Sequence, residues 1–349
     1  MTSTQAPQSQ TPPPRAPTYE TPFYTKIVGT GSYLPERILT NADLEKMVDT
    51  NDQWITERTG IKERHLAAEG QFTTDLALIA AQRALEAAKL TAHDLDMIIF
   101  ATVTGDQMMP SSACILQKKL GARTIMAFDL SAACSGFVYG SSVADQFIRT
   151  GMYKNILVVG AEILQRITNY KDRETCILFG DGAGAVIYSR SDDPSKSRIL
   201  TAHLRADGGL GDLFTLAAGG SAMPLSQAAL DSGANFVKMK GREIFKHAVR
   251  TMSQGCQDAL DANGLSIKQI DWLIPHQANL RIIDAVGSHF GIDPENVIVN
   301  VQRTGNTSAA TVPIALDEAI RDGRIQRGQH VLLTVFGAGL TSGSLLMRY

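Results

Sequence analysis

Cys134 is the residue of this sequence with the most chemical promise. An apolar stretch from Ile125 to Leu130 predicts a buried strand, and Phe137, Val138, Val143, Phe147 and Ile148 then recur at helical spacing. The thiol falls where a strand hands over to a helix. Unpaired helix N–H groups and the positive end of the dipole favour an anion there, so the thiol is expected to lose its proton more readily than a free one. Ala132, Ala133, Ser135 and Gly136 are small enough to leave the sulfur reachable. A lone cysteine in apolar surroundings also has a plainer reading, as a small core residue, so the chemical reading needs partners. His276 follows the strand Trp272-Leu273-Ile274, ahead of a helix carrying Ile282, Ile283, Val286 and Phe290. Asn306 follows the strand Val297-Ile298-Val299. Either residue alone is more often structural, but three polar groups at three strand ends make a nucleophile with hydrogen-bonding partners. The last strand, Val331 to Val335, runs into Phe336-Gly337-Ala338-Gly339, whose backbone could offer an N–H to a developing oxyanion.

Residues this far apart meet only if the fold brings their strand ends together, and the sequence contains a device for that. Ala84-Leu85-Glu86-Ala87, Leu90 and Leu95-Asp96-Met97-Ile98-Ile99 correspond to Ala259-Leu260-Asp261-Ala262, Leu265 and Ile270-Asp271-Trp272-Leu273-Ile274, always 175 positions apart. Each match is followed by a helical segment, a glycine (Gly121 or Gly291), another apolar strand and a small-residue loop, which holds Cys134 in one half and Asn306 in the other. This order of elements indicates an internal duplication. Alternating strands and helices imply largely parallel sheets with helices on their faces. Ligands of such folds gather at the carboxyl ends of strands. The chain is expected to begin folding at Lys26-Ile27-Val28, with Gly29, Gly31 and Pro35 as turn signals. A helix is expected from an Asn41 cap with Leu44 and Met47 on one face, and another from Thr73 to Lys89 presenting Leu76, Ile79, Ala80, Ala84 and Ala87. A buried strand is expected from Met97 to Val103.

The chain has 349 residues, 44% apolar and 19% charged, with a net charge of −2. These values fit a compact enzyme of one large or two smaller domains, and the lack of a dense basic run argues against nucleic-acid binding. Cys114, Cys134, Cys176 and Cys256 are too scattered for a zinc site or a disulfide framework, which fits a reducing compartment. The Pro-, Gln-, Ser- and Thr-rich start is expected to be a disordered tail over residues 1–25. It is not a secretory signal, and no run is long enough to span a bilayer, so a cytoplasmic protein is expected. The glycines of Phe179-Gly180-Asp181-Gly182-Ala183-Gly184 lack the ending of a P-loop and the spacing of a dinucleotide fingerprint, and read as a structural turn and strand.

Several separated motifs in order resemble the β-ketoacyl-acyl-carrier-protein synthase III family: GTGSYLPE at 29–36, RTGIKER at 58–64, AACSG, FGDGAGAV at 179–186, PHQANLRI, GNTSAA and the glycine-rich end. The resemblance implies an α/β thiolase-like fold of two duplicated βα halves in an α-β-α-β-α layering, with halves at 26–203 and 204–349, in a homodimer. It implies a catalytic triad of Cys134, His276 and Asn306, and an oxyanion hole from the backbone N–H groups of Cys134 and Ala338. Coenzyme A would be held by Thr50, Trp54, Arg58, Arg173, Gly241 and Asn279, with Trp54 and Arg173 stacking on adenine. Lys246 and Arg281 would meet the acidic carrier protein. Met109 stands where many members place a phenylalanine that crosses the dimer interface to limit the acyl pocket. With Arg242, Leu340 and Ser342 it is a departure from the family pattern, and primers longer than acetyl are a hypothesis on that ground.

The implied reaction needs no cofactor or metal, coenzyme A thioester being a substrate. The Cys134 thiolate takes an acyl group, acetyl in the first instance, from acyl-coenzyme A. Malonyl-carrier protein then loses CO2, its enolate charge is stabilised by His276 and Asn306, and the carbanion attacks the acyl-enzyme to give 3-oxoacyl-carrier protein. For His276 to donate, something must hold its tautomer. Three rivals are a related acyltransferase with another acceptor or a specialised ketide product, a cysteine protease, whose local signature is absent around Cys134, and a non-catalytic acyl-binding scaffold.

Overall fold

Two sheets of matching strand order sit back to back around a shared layer of helices. The computed structural model describes residues 22–193 and 195–349. The first part of the chain runs β1 (Tyr24–Tyr33), β2 (Arg37–Thr40), α1 (Asn41–Leu44), α2 (Asp52–Thr59), β3 (Glu63–Leu66) and α3 (Thr73–Ala88). It continues through β4 (Met97–Ala101), α4 (Ser112–Leu120), β5 (Met126–Leu130), α5 (Gly136–Arg149), β6 (Asn155–Glu162) and β7 (Gly182–Ser191). The second part runs β8 (Arg198–Ala206), β9 (Phe214–Thr215), α6 (Gln227–Asp231), β10 (Lys238–Met239), α7 (Gly241–Asn263) and β11 (Trp272–Pro275). It ends with α8 (Leu280–Phe290), α9 (Val301–Thr304), α10 (Thr311–Arg321), β12 (His330–Gly337) and β13 (Thr341–Arg348).

One sheet has the order β1-β7-β6-β4-β5, the other β8-β13-β12-β11. In both, the inner pairs are parallel (β4 with β6, β11 with β12) and the next strand out is antiparallel. Val297 continues the second sheet by one parallel bridge to Leu273, a vestige of the place β5 holds in the first. The strand expected at Val297 to Val299 is therefore a single bridge. Helices α3 and α4 cover the outer face of one sheet and α7 and α8 that of the other. Helices α5 and α10 touch both sheets from between. That middle layer holds a core including Phe137, Val138, Val158, Val312, Leu333 and Val335, where each fully buried large side chain contributes ~2 kcal/mol.

Local chemistry explains where the observed elements depart from expectation. Gly29 and Gly31 are strand residues rather than turn formers: a Cβ on either would collide with the Ala84 or Ala80 carbonyl oxygen, so they let α3 lie directly on β1. The buried stripe of α3 is Leu76, Ala77, Ala80, Ala81, Ala84 and Leu85, with Ala87 outside. Helix α1 is a single turn capped by Thr40, whose hydroxyl accepts from the Asp43 N–H, and Met47 beyond it is 49% exposed. Strand β5 is an edge strand paired with β4 alone. Met126 and Asp129 face outward there, so it is not the buried strand expected.

The tail expected over residues 1–25 lies outside the described residues up to position 21. Tyr24 and Thr25 already belong to β1, paired with Ser191 and Arg190. A boundary between positions 203 and 204 would cut β8, whose ladder with β13 commits the whole strand to the second sheet. The sheets change over between Ser191 and Arg198.

Candidate active site

Cys134 sits on a backbone elbow. Ala133 before it has φ 46°, and the single turn Ala133–Ser135 leads straight into α5. A non-glycine residue in the left-handed region is strained, and the elbow is held from two sides. The Thr341 hydroxyl donates to the Ala132 carbonyl at 2.9 Å and lies 3.1 Å from that of Ala338. Gly337, the end of β12, has no room for a Cβ, which would lie 2.8 Å from the Cys134 nitrogen and 3.1 Å from that of Ser135. This close approach brings the Ala338 backbone alongside Cys134, and the two residues share the wall of a small cavity.

Cys134 is 5% exposed, its thiol included in that burial. Burial pushes it up to about 12, the Glu162 carboxylate adds to the rise, and the Ser308 hydroxyl opposes it. The expectation of a readily ionised thiol is corrected: in the free protein the cost of burying an anion outweighs the helix terminus.

His276 follows β11, its N–H donating to the Thr334 carbonyl at 2.8 Å. Its Nδ1 lies 2.7 Å from the Thr311 hydroxyl, and Thr311 lies 3.0 Å from the Ser308 carbonyl, to which it can donate. With its proton there the hydroxyl accepts from Nδ1–H; turned to Nδ1, it leaves the proton on Nε2. Burial pulls the imidazole down to about 3, so it is neutral at physiological pH. Gln277 next to it donates to the Pro275 and Ile298 carbonyls and accepts from the Asn300 N–H at 2.9 Å, pinning the two loops together.

Asn306 is clamped by backbone. Its N–H donates to the Leu178 carbonyl at 2.8 Å and its carbonyl accepts from the Gly180 N–H at 3.0 Å. Its side-chain Oδ1 accepts from the Ser308 N–H at 2.8 Å, which turns Nδ2 outward as a donor. The glycine-rich motif at 179–186 thus does structural work beside the site. Buried Arg64 supports it, donating to the Ile177 carbonyl at 2.6 Å and to Asn41 Oδ1 at 2.8 Å.

Cys134, His276 and Asn306 line one cavity of about 810 Å³ that runs out past Trp54, Arg58, Gly241, Asn279 and Arg281. Two guanidinium groups, of Arg58 and Arg173, each stand 4.6 Å from the centre of the Trp54 ring. Arg173 also donates to the Asp49 carbonyl at 3.1 Å. Asn279 caps α8 through Oδ1 and donates from Nδ2 to the Arg58 carbonyl at 2.9 Å, so both its polar atoms hold the wall together. Thr50, Lys246 and Arg173 are not among the lining residues. Thr50 is half-buried and Lys246 is exposed on α7. Arg281 lies against the Phe245 ring at 5.5 Å.

A second cavity of about 190 Å³ opens on the other side of Cys134, between Val103, Leu164, Phe179, Leu216 and Val237. Met109 is 80% exposed and lines neither cavity of its own chain. Any limit it sets on an acyl pocket would act on a second copy. Sequence reading placed Gly241 at the start of the α7 wall but missed Ile244, Ala248 and Met252, which follow it at helical spacing along the large cavity. It also missed the part played by Thr311, which lies just past the GNTSAA motif, and by Ser308 inside it. Among the described residues no group of three or more potential metal ligands occurs, and no helix is long and apolar enough to cross a membrane.

Paired sheets around two central helices, with a cysteine, a histidine and an asparagine meeting at one cavity, define a thiolase-like acyl-transferring enzyme. Residues 128–208 match the family model described as 3-oxoacyl-[acyl-carrier-protein] synthase III, and residues 260–349 match its C-terminal counterpart. The chain is 54% identical over 327 residues to a β-ketoacyl-[acyl-carrier-protein] synthase III of Thiobacillus denitrificans, covering 93% of this chain and 99% of that protein. It is 53% identical to one from Caldanaerobacter subterraneus over 93% of this chain and 97% of that one. The crystal structure of 3-oxoacyl-[acyl-carrier-protein] synthase III from Aquifex aeolicus superposes with a TM-score of 0.86 at 48% identity, covering 93% of this chain and all of that one. This chain belongs to the β-ketoacyl-[acyl-carrier-protein] synthase III family.

Proposed function

We propose that this protein is an initiating condensing enzyme of fatty acid synthesis. Cys134 takes an acyl group from acyl-coenzyme A and hands it to the carbanion formed when malonyl-carrier protein loses CO2. The products are 3-oxoacyl-carrier protein, coenzyme A and CO2. The observation that carries this reading is the shared cavity: nucleophile, imidazole and outward-turned amide face one space that leads to an indole and a cluster of cations.

In the first half-reaction the thioester carbon bonds to Sγ while its oxygen turns toward the Cys134 and Ala338 N–H groups, which stabilise the developing charge. In the second, Nδ2 of Asn306 donates to the thioester oxygen of the malonyl group. Neutral His276 donates from Nε2 once Thr311 has turned its proton to Nδ1. Two donors at that oxygen stabilise the enolate left by CO2.

Coenzyme A enters past Trp54, its adenine parting the Trp54–Arg173 contact and stacking in its place. Thr50 and Arg58 meet the nucleotide end, and Gly241 and Asn279 flank the pantetheine arm. The acyl chain lies in the apolar cavity beyond Cys134, which has room for more than acetyl. Lys246 and Arg281, both exposed, receive the acidic carrier protein on the rim. The open edge of β5 and the exposed side chains of Met108, Met109 and Met126 support a homodimer. The chemistry needs no cofactor, and the cytoplasm is the proposed location.

Intact mass after mixing with acetyl-, butyryl- and longer acyl-coenzyme A, followed by malonyl-carrier protein, tests this. A Cys134-dependent adduct that disappears as 3-oxoacyl-carrier protein forms is expected. An adduct that malonyl-carrier protein leaves untouched would mean another acceptor.

A further inference from the structure

The two cavities share Cys134, Phe179 and Phe214 on their walls. They meet at the cysteine and are parted by the two rings, whose centres stand 6.3 Å apart with the planes tilted by 34°. Neither ring has a part in the reaction described above. With the coenzyme A arm in the large cavity, an acyl group on Cys134 has its first carbons beside this pair and the rest in the small cavity. The pair is a throat.

Only one side of the throat is free to vary. Phe179 is 4% exposed and forms a backbone bridge with Asn306. The residues on either side of it hold that bridge: the Leu178 carbonyl accepts from the Asn306 N–H at 2.8 Å, and the Gly180 N–H donates to the Asn306 carbonyl at 3.0 Å. Any shift of Phe179 therefore displaces the Asn306 amide. Phe214 belongs to the two-residue strand β9, opposite Met239 of β10, and is half-buried. Its ring can turn without disturbing the triad.

The throat and the cavity beyond it set different limits. Non-bonded carbons in contact lie about 3.5–4.0 Å apart, so a methylene chain touching two ring faces needs them about 7–8 Å apart. The observed 6.3 Å admits a single file of methylenes after a small turn of Phe214 and leaves no space for a branch beside the thioester. Beyond the rings, Leu164, Ile167, Leu216 and Val237 form an apolar wall, and no charged side chain lines it. The Thr168 hydroxyl is already spent on the Leu164 carbonyl, at 2.8 Å. The volume is about 190 Å³, whereas an apolar cavity of about 150 Å³ takes a six-carbon ring. Acetyl leaves most of this wall uncovered.

We propose that Phe214 selects the primer, and that the preferred primer is an unbranched, uncharged acyl-coenzyme A of about six carbons. Selection has two parts: Phe214 rejects a branch next to the thioester, and the cavity closed by Val237 rewards length. This role rests on the acyl-enzyme reading given above.

The test is the second-order rate of Cys134 acylation, read by rapid quench and intact mass, in the full chain with acetyl-, butyryl-, isobutyryl-, hexanoyl- and decanoyl-coenzyme A. The rate should rise ~4-fold per added methylene up to hexanoyl and gain nothing further at decanoyl. Isobutyryl should be ~10-fold slower than butyryl or worse, as where an extra methyl overfills a packed site. Phe214→Leu should bring isobutyryl to within about twofold of butyryl by removing that overfilling. Val237→Phe shortens the cavity and leaves the throat as it is, so it should cut the hexanoyl-to-acetyl ratio ~10-fold and not the isobutyryl-to-butyryl ratio. A merely structural loss would slow every primer alike and leave both ratios in place, which would overturn the proposal. So would an unaltered protein fastest with acetyl, or one that takes isobutyryl as readily as butyryl; these two results decide the matter even if a variant fails to fold. Absence of an adduct with every primer would instead overturn the acyl-enzyme reading.

Discussion

Nδ1 of His276 and the hydroxyl of Thr311 lie 2.7 Å apart, and the same hydroxyl can turn to the Ser308 carbonyl 3.0 Å away. One rotor therefore sets which imidazole nitrogen carries the proton in a histidine that burial keeps neutral. Thr311→Val should slow the malonyl-dependent step by ~10-fold, in line with the loss of a buried hydrogen bond of about 1–1.5 kcal/mol, and leave acyl-enzyme formation within about twofold. Thr311→Ser should restore the rate. Separate measurement of the two half-reactions checks this, and equal slowing of both would count against a tautomer-holding role.

Acid stability should carry the signature of His276. Its folded value is lowered to about 3 from 6.5, so the unfolded chain binds the extra proton between those values. Its contribution is complete above about pH 6.5 and is lost as the pH falls toward 3. The stability difference between the unaltered protein and His276→Gln should shift by ~2 kcal/mol between pH 7 and 5, in the sense that the unaltered protein loses more. Urea midpoints across that range measure it. A constant difference would mean that the imidazole is hydrated.

Gly337→Ala places a methyl group against the Cys134 and Ser135 nitrogens and 3.0 Å from the Thr341 hydroxyl. The strand end must retreat and take the Ala338 N–H with it. Acylation should fall ~100-fold, as for loss of one oxyanion donor, with Trp54-dependent binding of coenzyme A intact by calorimetry. Full acylation activity in a folded Gly337→Ala would remove Ala338 from the oxyanion hole.

Trp54→Ala removes the ring that both Arg58 and Arg173 approach at 4.6 Å. KM for acyl-coenzyme A should rise about tenfold, matching the ~1–2 kcal/mol of such contacts, with little change in the rate of transfer to malonyl-carrier protein. An unchanged KM would place the nucleotide elsewhere.

Much of this site was legible because chemistry and periodicity coincide in it. Cys134, His276 and Asn306 each follow an apolar run, and a reader who assumes that strand ends converge can bring them together. The Ala84 and Ala259 segments share the pattern because both helices must lie on equivalent sheets. Less accessible were features that depend on what lies opposite. Gly29 and Gly31 look like turn formers until α3 is seen pressed on β1. The run Ile125 to Leu130 is apolar enough for an interior strand, yet its place at the sheet edge leaves Met126 41% exposed. The ease of ionising Cys134 was misjudged because a helix terminus can be read from sequence and desolvation cannot. Thr311 is an ordinary residue in one dimension and acquires meaning only through His276.

The two elbows have a further consequence. Ala133 and Ser308 occupy corresponding places, 175 positions apart, and both are bent into the left-handed region, at φ 46° and 51°. Their turns lie against each other, with Gly160 giving the Ala309 carbonyl room that any side chain would deny. Each bend is thus part of the other's buttress. A single half made alone would lose the contacts that its bend makes with the other half. The paired bends are alike in backbone and unlike in what they carry, a sulfur beside one and a hydroxyl on the other.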